Sequence, residues 1–144
     1  MINHVWSVVC ESASIDNKSN RVSLFNTIET LITDVSPSEE KPFLFSCELI
    51  SLWYFDGEGE TRNGTMRLLF ESPNGKQLGD LTVPIDFSTS DFHRTRLFMK
   101  SIPILQPGMS FFLIDYKLGD SDDWKFGAKI PVKLVLSKQL KENI

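Results

Sequence analysis

The sequence predicts an all-β protein of about eight strands, arranged as a β-sandwich or a barrel. Near the end of the chain every second position is apolar, which is the period of a half-buried strand. The residues concerned are Trp124, Phe126, Ala128, Ile130, Val132, Leu134 and Leu136. Leu81, Val83, Ile85 and Phe87 repeat this period. Short links separate the apolar runs, and a helix cap followed by a 3.6-residue apolar pattern occurs only marginally, in the tail from Ser137 to Ile144.

Two alternating runs open the chain. Trp6, Val8 and Cys10 belong to the first run, and Val22, Leu24 and Ile28 belong to the second. The stretch between them, Asp16-Asn17-Lys18-Ser19-Asn20, is either a tight turn or a cluster of oxygen ligands. We interpret it as the turn that joins the two strands, because Asp and Asn side chains cap turn backbones and Asn20 tolerates a left-handed conformation.

The run from Phe43 to Phe55 is apolar on both faces. One face carries Phe43, Phe45, Leu49, Trp53 and Phe55, and the other carries Leu44, Ile50, Leu52 and Tyr54. A strand that is apolar on both faces lies in the centre of a structure or faces a partner.

The second half of the chain supplies the remaining strands. The run from Met66 to Phe70 leads into the turn Ser72-Pro73-Asn74-Gly75, which predicts a hairpin with the run from Leu81 to Phe87. Two more strands are expected over Phe92 to Ile102 and Ser110 to Leu118. The loose segments 36–42 and 56–63 are too short to separate domains, so residues 1–144 are predicted to form a single β-sandwich domain.

Composition and charge narrow the possible functions. The chain has 144 residues, is 41% hydrophobic and 24% charged, and contains 11 Phe residues, which suits a thick core between two sheets or an apolar surface covered by a partner. A net charge of −4 argues against nucleic acid, whose phosphates require a basic patch. The N-terminus resembles neither a signal peptide nor a membrane-spanning helix, so we expect a cytoplasmic protein without a membrane partner.

The two cysteines, Cys10 and Cys47, fall in two predicted strands. In a cytosolic protein we expect two reduced, buried thiols, and a bridge between facing sheets is the alternative. Neither residue belongs to a CxxC motif or a Cys/His pair, so the sequence gives no support for zinc or thiol-redox chemistry.

No catalytic constellation is apparent, and we expect no enzyme activity, no cofactor and no metal. The histidines are His4, expected to be solvated, and His93, expected to be a strand residue with one hydrogen bond. Gly57-Glu58-Gly59 is followed by Glu60, whose charge repels phosphate.

Three other features have both a functional and a structural interpretation. Asp16-Asn17 and Gly119 to Asp123 are candidate calcium ligands, or ordinary turns. Trp53-Tyr54-Phe55 is a candidate sugar-stacking platform, or a core strand that runs into its turn. Arg94, Arg96 and Lys100 form a basic row, which pairs across strands with residues such as Glu71 or meets an acidic partner.

The segment WSVVCESASIDNKSNRVSLFNTIE, from Trp6 to Glu29, resembles the opening of an uncharacterised family of small bacterial proteins. SLWYF, SPNGKQLGD, HRTRLFMKSIPILQPGMSFFLIDYKL and KIPVKLVL follow in that family's order. The resemblance implies an immunoglobulin-like two-sheet β-sandwich of mostly antiparallel strands, and it implies no activity and no catalytic residues.

These observations lead to a non-enzymatic protein-interaction or scaffolding module. We expect it to bind another protein, or a second copy of itself, through a sheet face or an edge strand. The alternative is a sandwich that binds calcium or a carbohydrate through its end loops. A third hypothesis is an enzyme.

Overall fold

The computed structural model describes residues 1–58, 62–121 and 123–138, and these residues form nine β-strands in two sheets. The strands are β1 (Ile2–Ile15), β2 (Val22–Thr27), β3 (Thr30–Thr33), β4 (Phe43–Phe55), β5 (Asn63–Glu71), β6 (Gln77–Asp86), β7 (Phe92–Ile104), β8 (Gly108–Leu118) and β9 (Lys125–Leu136). The predicted all-β class is confirmed. The additional strand is β3, which at four residues is too short to show a period of two. The described residues contain no helix long and apolar enough to cross a membrane.

The two sheets form an immunoglobulin-like sandwich. Sheet A has the order β2-β1-β4-β7, and sheet B has the order β3-β9-β8-β5-β6. All paired neighbours are antiparallel except β3 and β9. Strands β4 to β9 follow the immunoglobulin pattern, in which strand B (β4) pairs with strand E (β7) in one sheet. In the other sheet strand F (β8) lies between strands C (β5) and G (β9).

The core lies between the inner faces of the two sheets. The predicted inner face of β4 is confirmed: Phe45, Leu49, Trp53 and Phe55 are buried against Phe112 and other residues of sheet B. Trp53 is fully buried, and its indole Nε1 donates a hydrogen bond of 3.1 Å to Thr95 Oγ1. Each large apolar side chain buried in this way contributes about 1.5–3 kcal/mol of transfer free energy.

One part of the predicted alternation in β9 is wrong. Ala128, Val132 and Leu134 face the core, but Phe126 is 71% exposed. A bulge opposite Ile114 and Asp115 inserts Gly127 as an extra residue. Because one extra residue reverses the face of everything before it, Phe126 lies on the outer face of sheet B.

The hairpin of β1 and β2 leaves the plane of sheet A. We call residues 11–27 the β1–β2 arm. The backbone N–H of Ala13 donates to Glu48 Oε2 at 3.0 Å, and Arg94 Nη2 donates to the carbonyl oxygen of Asn20 at 2.6 Å. Since β4 separates β1 from β7, the tip of the arm reaches Arg94 by crossing the outer face of β4.

This crossing explains the second apolar face of β4. Ile50 on that face is fully buried and Leu52 is half-buried, whereas Leu44 is 56% exposed and Tyr54 is 37% exposed. The arm therefore covers the middle of the outer face and leaves its two ends open.

Candidate functional site

The stretch Asp16-Asn17-Lys18-Ser19-Asn20 is a turn, as interpreted from the sequence. Asp16 Oδ1 accepts the backbone N–H of Lys18 at 2.7 Å and that of Ser19 at 3.0 Å, and Asn20 has a φ of 58°. These two hydrogen bonds lower the pKa of the Asp16 carboxyl. The carboxylate is engaged by the turn backbone, and the turn itself is docked on Arg94.

The second candidate for calcium, Gly119 to Asp123, also follows turn geometry where the structure describes it. The N–H of Ser121 donates to the carbonyl oxygen of Leu118, and the N–H of Asp123 donates to Ser121 Oγ, both at 3.1 Å; Asp122 lies outside the described residues. In the described ranges, no group of three or more His, Cys, Asp or Glu residues is arranged to hold a metal ion.

Trp53-Tyr54-Phe55 is a core strand, and the stacking-platform interpretation is wrong. Trp53 and Phe55 are buried, and Tyr54 alone is exposed. The Tyr54 ring packs against Phe92 with ring centroids 5.3 Å apart.

The expected pairing of the basic row with Glu71 is also wrong. Glu71 lies in sheet B opposite Phe111 and Gln77, whereas the row lies in β7 of sheet A, so the two are not neighbours across paired strands. Arg96 Nε instead contacts Glu48 Oε1 at 2.5 Å, and Glu48 is 3% exposed. The available signal in the sequence was Glu48 itself, because a carboxylate within an apolar run needs a charged or hydrogen-bonding partner.

The cysteines are free and buried, as expected. Both cysteines lie in sheet A. Cys10 in β1 is opposite Glu48 of β4, and Cys47, the residue before Glu48, lies on the inner face of β4. The two thiols therefore do not face each other across the two sheets. Burial raises the pKa of the Cys47 thiol to about 12 and also raises that of Cys10.

The expectation of a solvated His4 is wrong. The His4 ring is half-buried, lies edge-on to Trp53 and shares a hydrogen bond of 2.6 Å between its Nε2 and Ser7 Oγ. Burial lowers its pKa. His93 packs edge-on against Phe87 with ring centroids 6.3 Å apart.

The candidate site lies on the lateral side of the sandwich where β6 and β7 end their sheets. Between these edge strands is an apolar cleft of about 470 Å³, which reaches from the surface to the core. Its floor consists of the buried residues Leu68, Phe70, Met99 and Phe112, and its rim includes Leu78, Leu81, Phe98 and Ile102. Leu81 is 47% exposed and Phe98 is 62% exposed, although alternation placed Leu81 with the core.

Both edge strands are irregular beside this cleft. In β6 the register shifts around Gly79, which has a φ of 73°. In β7 the register shifts before Ile102, and Ser101 has a φ of 56°. The N–H of Ser101 donates to Ser46 Oγ at 3.1 Å, so a side chain satisfies the amide at this bulge.

The two edges differ in charge. Strand β7 carries Arg94, Arg96 and Lys100 and no carboxylate, whereas β6 carries Asp80 and Asp86 and no cation. Lys100 is the charged residue that lines the cleft, and the ion pairs within the described residues do not include it.

Comparison with known proteins gives a fold and no family. The sequence matches no family model and no curated protein. Among solved structures the chain is similar to the crystal structure of the C-terminal domain of wzt, with a TM-score of 0.55 and 11% sequence identity. The match covers 93% of this chain and 73% of that one. At this identity the likeness supports the β-rich fold alone.

Proposed function

We propose that this chain is a non-enzymatic protein-interaction module, and that the edge of β7 pairs with an extended, acidic segment of another protein. The observation that carries the proposal is the N-terminal part of β7. It ends sheet A, and from Phe92 to Met99 its register with β4 is unbroken. An unbroken edge strand offers unpaired backbone groups to an added strand.

Exposed aromatic side chains accompany this edge. Phe92 is 56% exposed beside Tyr54, and Phe98 is 62% exposed. Monomeric soluble proteins rarely leave grouped large apolar side chains in water, and such groups mark interaction sites. An added strand would cover both Phe residues, with a gain of up to about 1.5–3 kcal/mol for each one that becomes fully buried.

The charge of β7 favours an acidic partner over a second copy of the chain. Antiparallel pairing of two β7 strands about Arg94 places the two Arg94 side chains opposite each other. Arg94 binds neutral oxygens of Asn20 and keeps its charge, and like charges directly opposite each other destabilise a strand pair. Pairing of β7 with the acidic β6 of another copy is limited by Gly79 and by Pro84, which lacks an N–H donor. A carboxylate-rich segment meets neither obstacle.

The test is a selection of displayed random 12-residue peptides on the immobilised full chain. We expect the selected peptides to alternate apolar and acidic residues, and we expect their affinity to fall as salt is raised. Amide hydrogen exchange should then show new protection within residues 92–99.

Phe98→Gln and Phe126→Gln form a matched pair of variants, since the two side chains are 62% and 71% exposed on different sheets. A neutral replacement is used because Phe98 lies opposite the buried carboxylate of Glu48. Phe98→Gln should weaken peptide binding by about tenfold or more, which corresponds to about 1.4 kcal/mol, and Phe126→Gln should leave it unchanged. Equal loss in both variants, or protection elsewhere than β7, would contradict the proposal. A concentration-dependent dimer abolished by Phe98→Gln would assign the edge to a second copy instead.

A further inference from the structure

The cleft between β6 and β7 is a second site, which begins where the regular part of the β7 edge ends and shares Phe98 and Met99 with it. Nine of the twelve residues that line its volume of about 470 Å³ have apolar side chains. Phe112 at its floor is fully buried, and Leu68 is 3% exposed. The cleft is thus an opening into the core itself, and it falls within the size range of small-molecule pockets, which is about 300–1,000 Å³.

The backbone of both edge strands is irregular beside this opening. Gly79 in β6 and Ser101 in β7 both adopt left-handed conformations, with φ of 73° and 56°. A serine with a positive φ costs free energy, so this conformation persists only where the surrounding structure holds it. Here the hydrogen bond from Ser101 N–H to Ser46 Oγ holds the backbone of Ser101. The opening is therefore built into both edge strands and does not depend on a flexible side chain.

The same irregularities exclude a paired peptide from the cleft. Bulges at Gly79 and Ser101 break the regular spacing of backbone donors, and Pro103 removes a donor from β7. An occupant therefore has to bind through apolar contact. It also has to be slender, since it enters between two sheets.

We propose that the cleft binds a long-chain carboxylate, with its hydrocarbon chain between the sheets and its carboxylate at Lys100. Lys100 is the charged lining residue, and it lies in the β7 bulge at the cleft mouth. An apolar cavity of about 150 Å³ accepts benzene, so by proportion about 470 Å³ accepts on the order of 15 to 20 carbon atoms.

The experiment titrates the purified full chain with cis-parinaric acid, an 18-carbon fluorescent acid, below its critical micelle concentration. We expect saturable binding that palmitate displaces and that octanoate displaces poorly. Leu81→Trp fills the cleft from the inner face of β6, while Thr82→Trp adds the same bulk to the outer face of that strand. Leu81→Trp should weaken binding by about tenfold or more and Thr82→Trp should not. If Leu81→Trp fails to fold, Leu78→Trp takes its place.

The role of Lys100 is tested by comparing ligands that have the same chain length and different head groups. Lys100→Gln should weaken palmitate about two- to fivefold, the range of an exposed ion pair, and leave hexadecanol unchanged. Absence of saturable binding, or equal binding by Leu81→Trp and Thr82→Trp, would overturn the proposal. So would displacement of the probe by acidic peptides but not by palmitate, which would assign the cleft to a peptide. Absence of saturable binding and equal binding by the two variants leave peptide pairing at residues 92–99 unaffected, because the peptide selection measures that pairing separately.

Discussion

The contact between Arg96 and Glu48 holds the β1–β2 arm against sheet A, and its removal gives a graded prediction. The Glu48 side chain is 4% exposed, and its two oxygens accept hydrogen bonds from Arg96 and from the backbone of Ala13. Arg96→Gln leaves this carboxylate in the interior without its cation. Such a loss costs about 3–5 kcal/mol for a fully buried pair.

The expected cost here is smaller than that range. The Arg96 side chain is 42% exposed, so water reaches the vacated position and solvates part of the charge. We expect Arg96→Gln to lower the free energy of unfolding by about 2–3 kcal/mol. Glu48→Gln removes the buried charge, keeps an acceptor for Ala13 and should cost about 1 kcal/mol.

A double-mutant cycle measured by urea denaturation tests this reasoning. The variant with both substitutions should be more stable than Arg96→Gln alone, with a coupling of about 1–3 kcal/mol. Arg21→Gln, in the exposed part of the arm, makes the same change in net charge and serves as the control. Additivity within about 0.5 kcal/mol, or equal costs for Arg96→Gln and the control, would refute the role of the pair.

Three further predictions concern backbone strain, thiols and acid stability. Ser101→Val should lower the free energy of unfolding by about 1–3 kcal/mol, because a β-branched residue resists a φ of 56°. Ser101→Gly should not lower it. Equal stability of the two variants in urea denaturation would contradict backbone strain at this position. Cys10 and Cys47 should react with a disulfide reagent at pH 8 only as fast as the protein unfolds, since burial raises both pKa values, and rapid native labelling would contradict this. The lowered pKa of Asp16 contributes stability that is present above its unfolded pKa, about 3.9, and is lost as pH falls through the folded value. Asp16→Asn should therefore flatten the acid limb of the stability profile below about pH 4, and an unchanged limb would show that the turn does not contribute.

Local pattern was sufficient to predict most strands. The long apolar run predicted β4 over Phe43 to Phe55, and the Asn-Gly turn predicted the hairpin of β5 and β6. These signals are local, because they depend on which face a residue presents and on the dihedral angles that a turn requires.

Bulges account for the failures of the alternation. Phe126 was grouped with the core, and Gly127 in the bulge places it outside. Leu81 does face inward, yet it lines the cleft beside the bulges at Gly79 and Ser101 and remains 47% exposed. A bulge depends on the partner strand as well as on its own sequence, so one strand's pattern does not predict it. The isolated Gly residues within β6 and β9 were the available signal.

The pairing of Glu48 with Arg96 was beyond sequence reasoning for a different reason. Their Cα atoms are not direct partners, since Glu48 lies opposite Phe98 and Arg96 opposite Ile50. The two side chains meet along a diagonal of sheet A, under the arm that supplies Ala13. Such a contact requires the strand register and the path of the arm together.

The two lateral sides of the sandwich are closed in different ways, and the difference supports a ligand in the cleft. On one side the chain passes from sheet A to sheet B: the N–H of Ile28 donates to the carbonyl oxygen of Val9, and that of Lys133 donates to the carbonyl oxygen of Glu29. On the other side a cleft lies between β6 and β7 beside their bulges, and Leu81 and Phe98 are exposed to water. Each of these side chains forgoes part of the roughly 1.5–3 kcal/mol that full burial provides. An apolar occupant recovers that free energy and so stabilises the fold, and the bulges that block strand addition beside the cleft flank the site that it occupies.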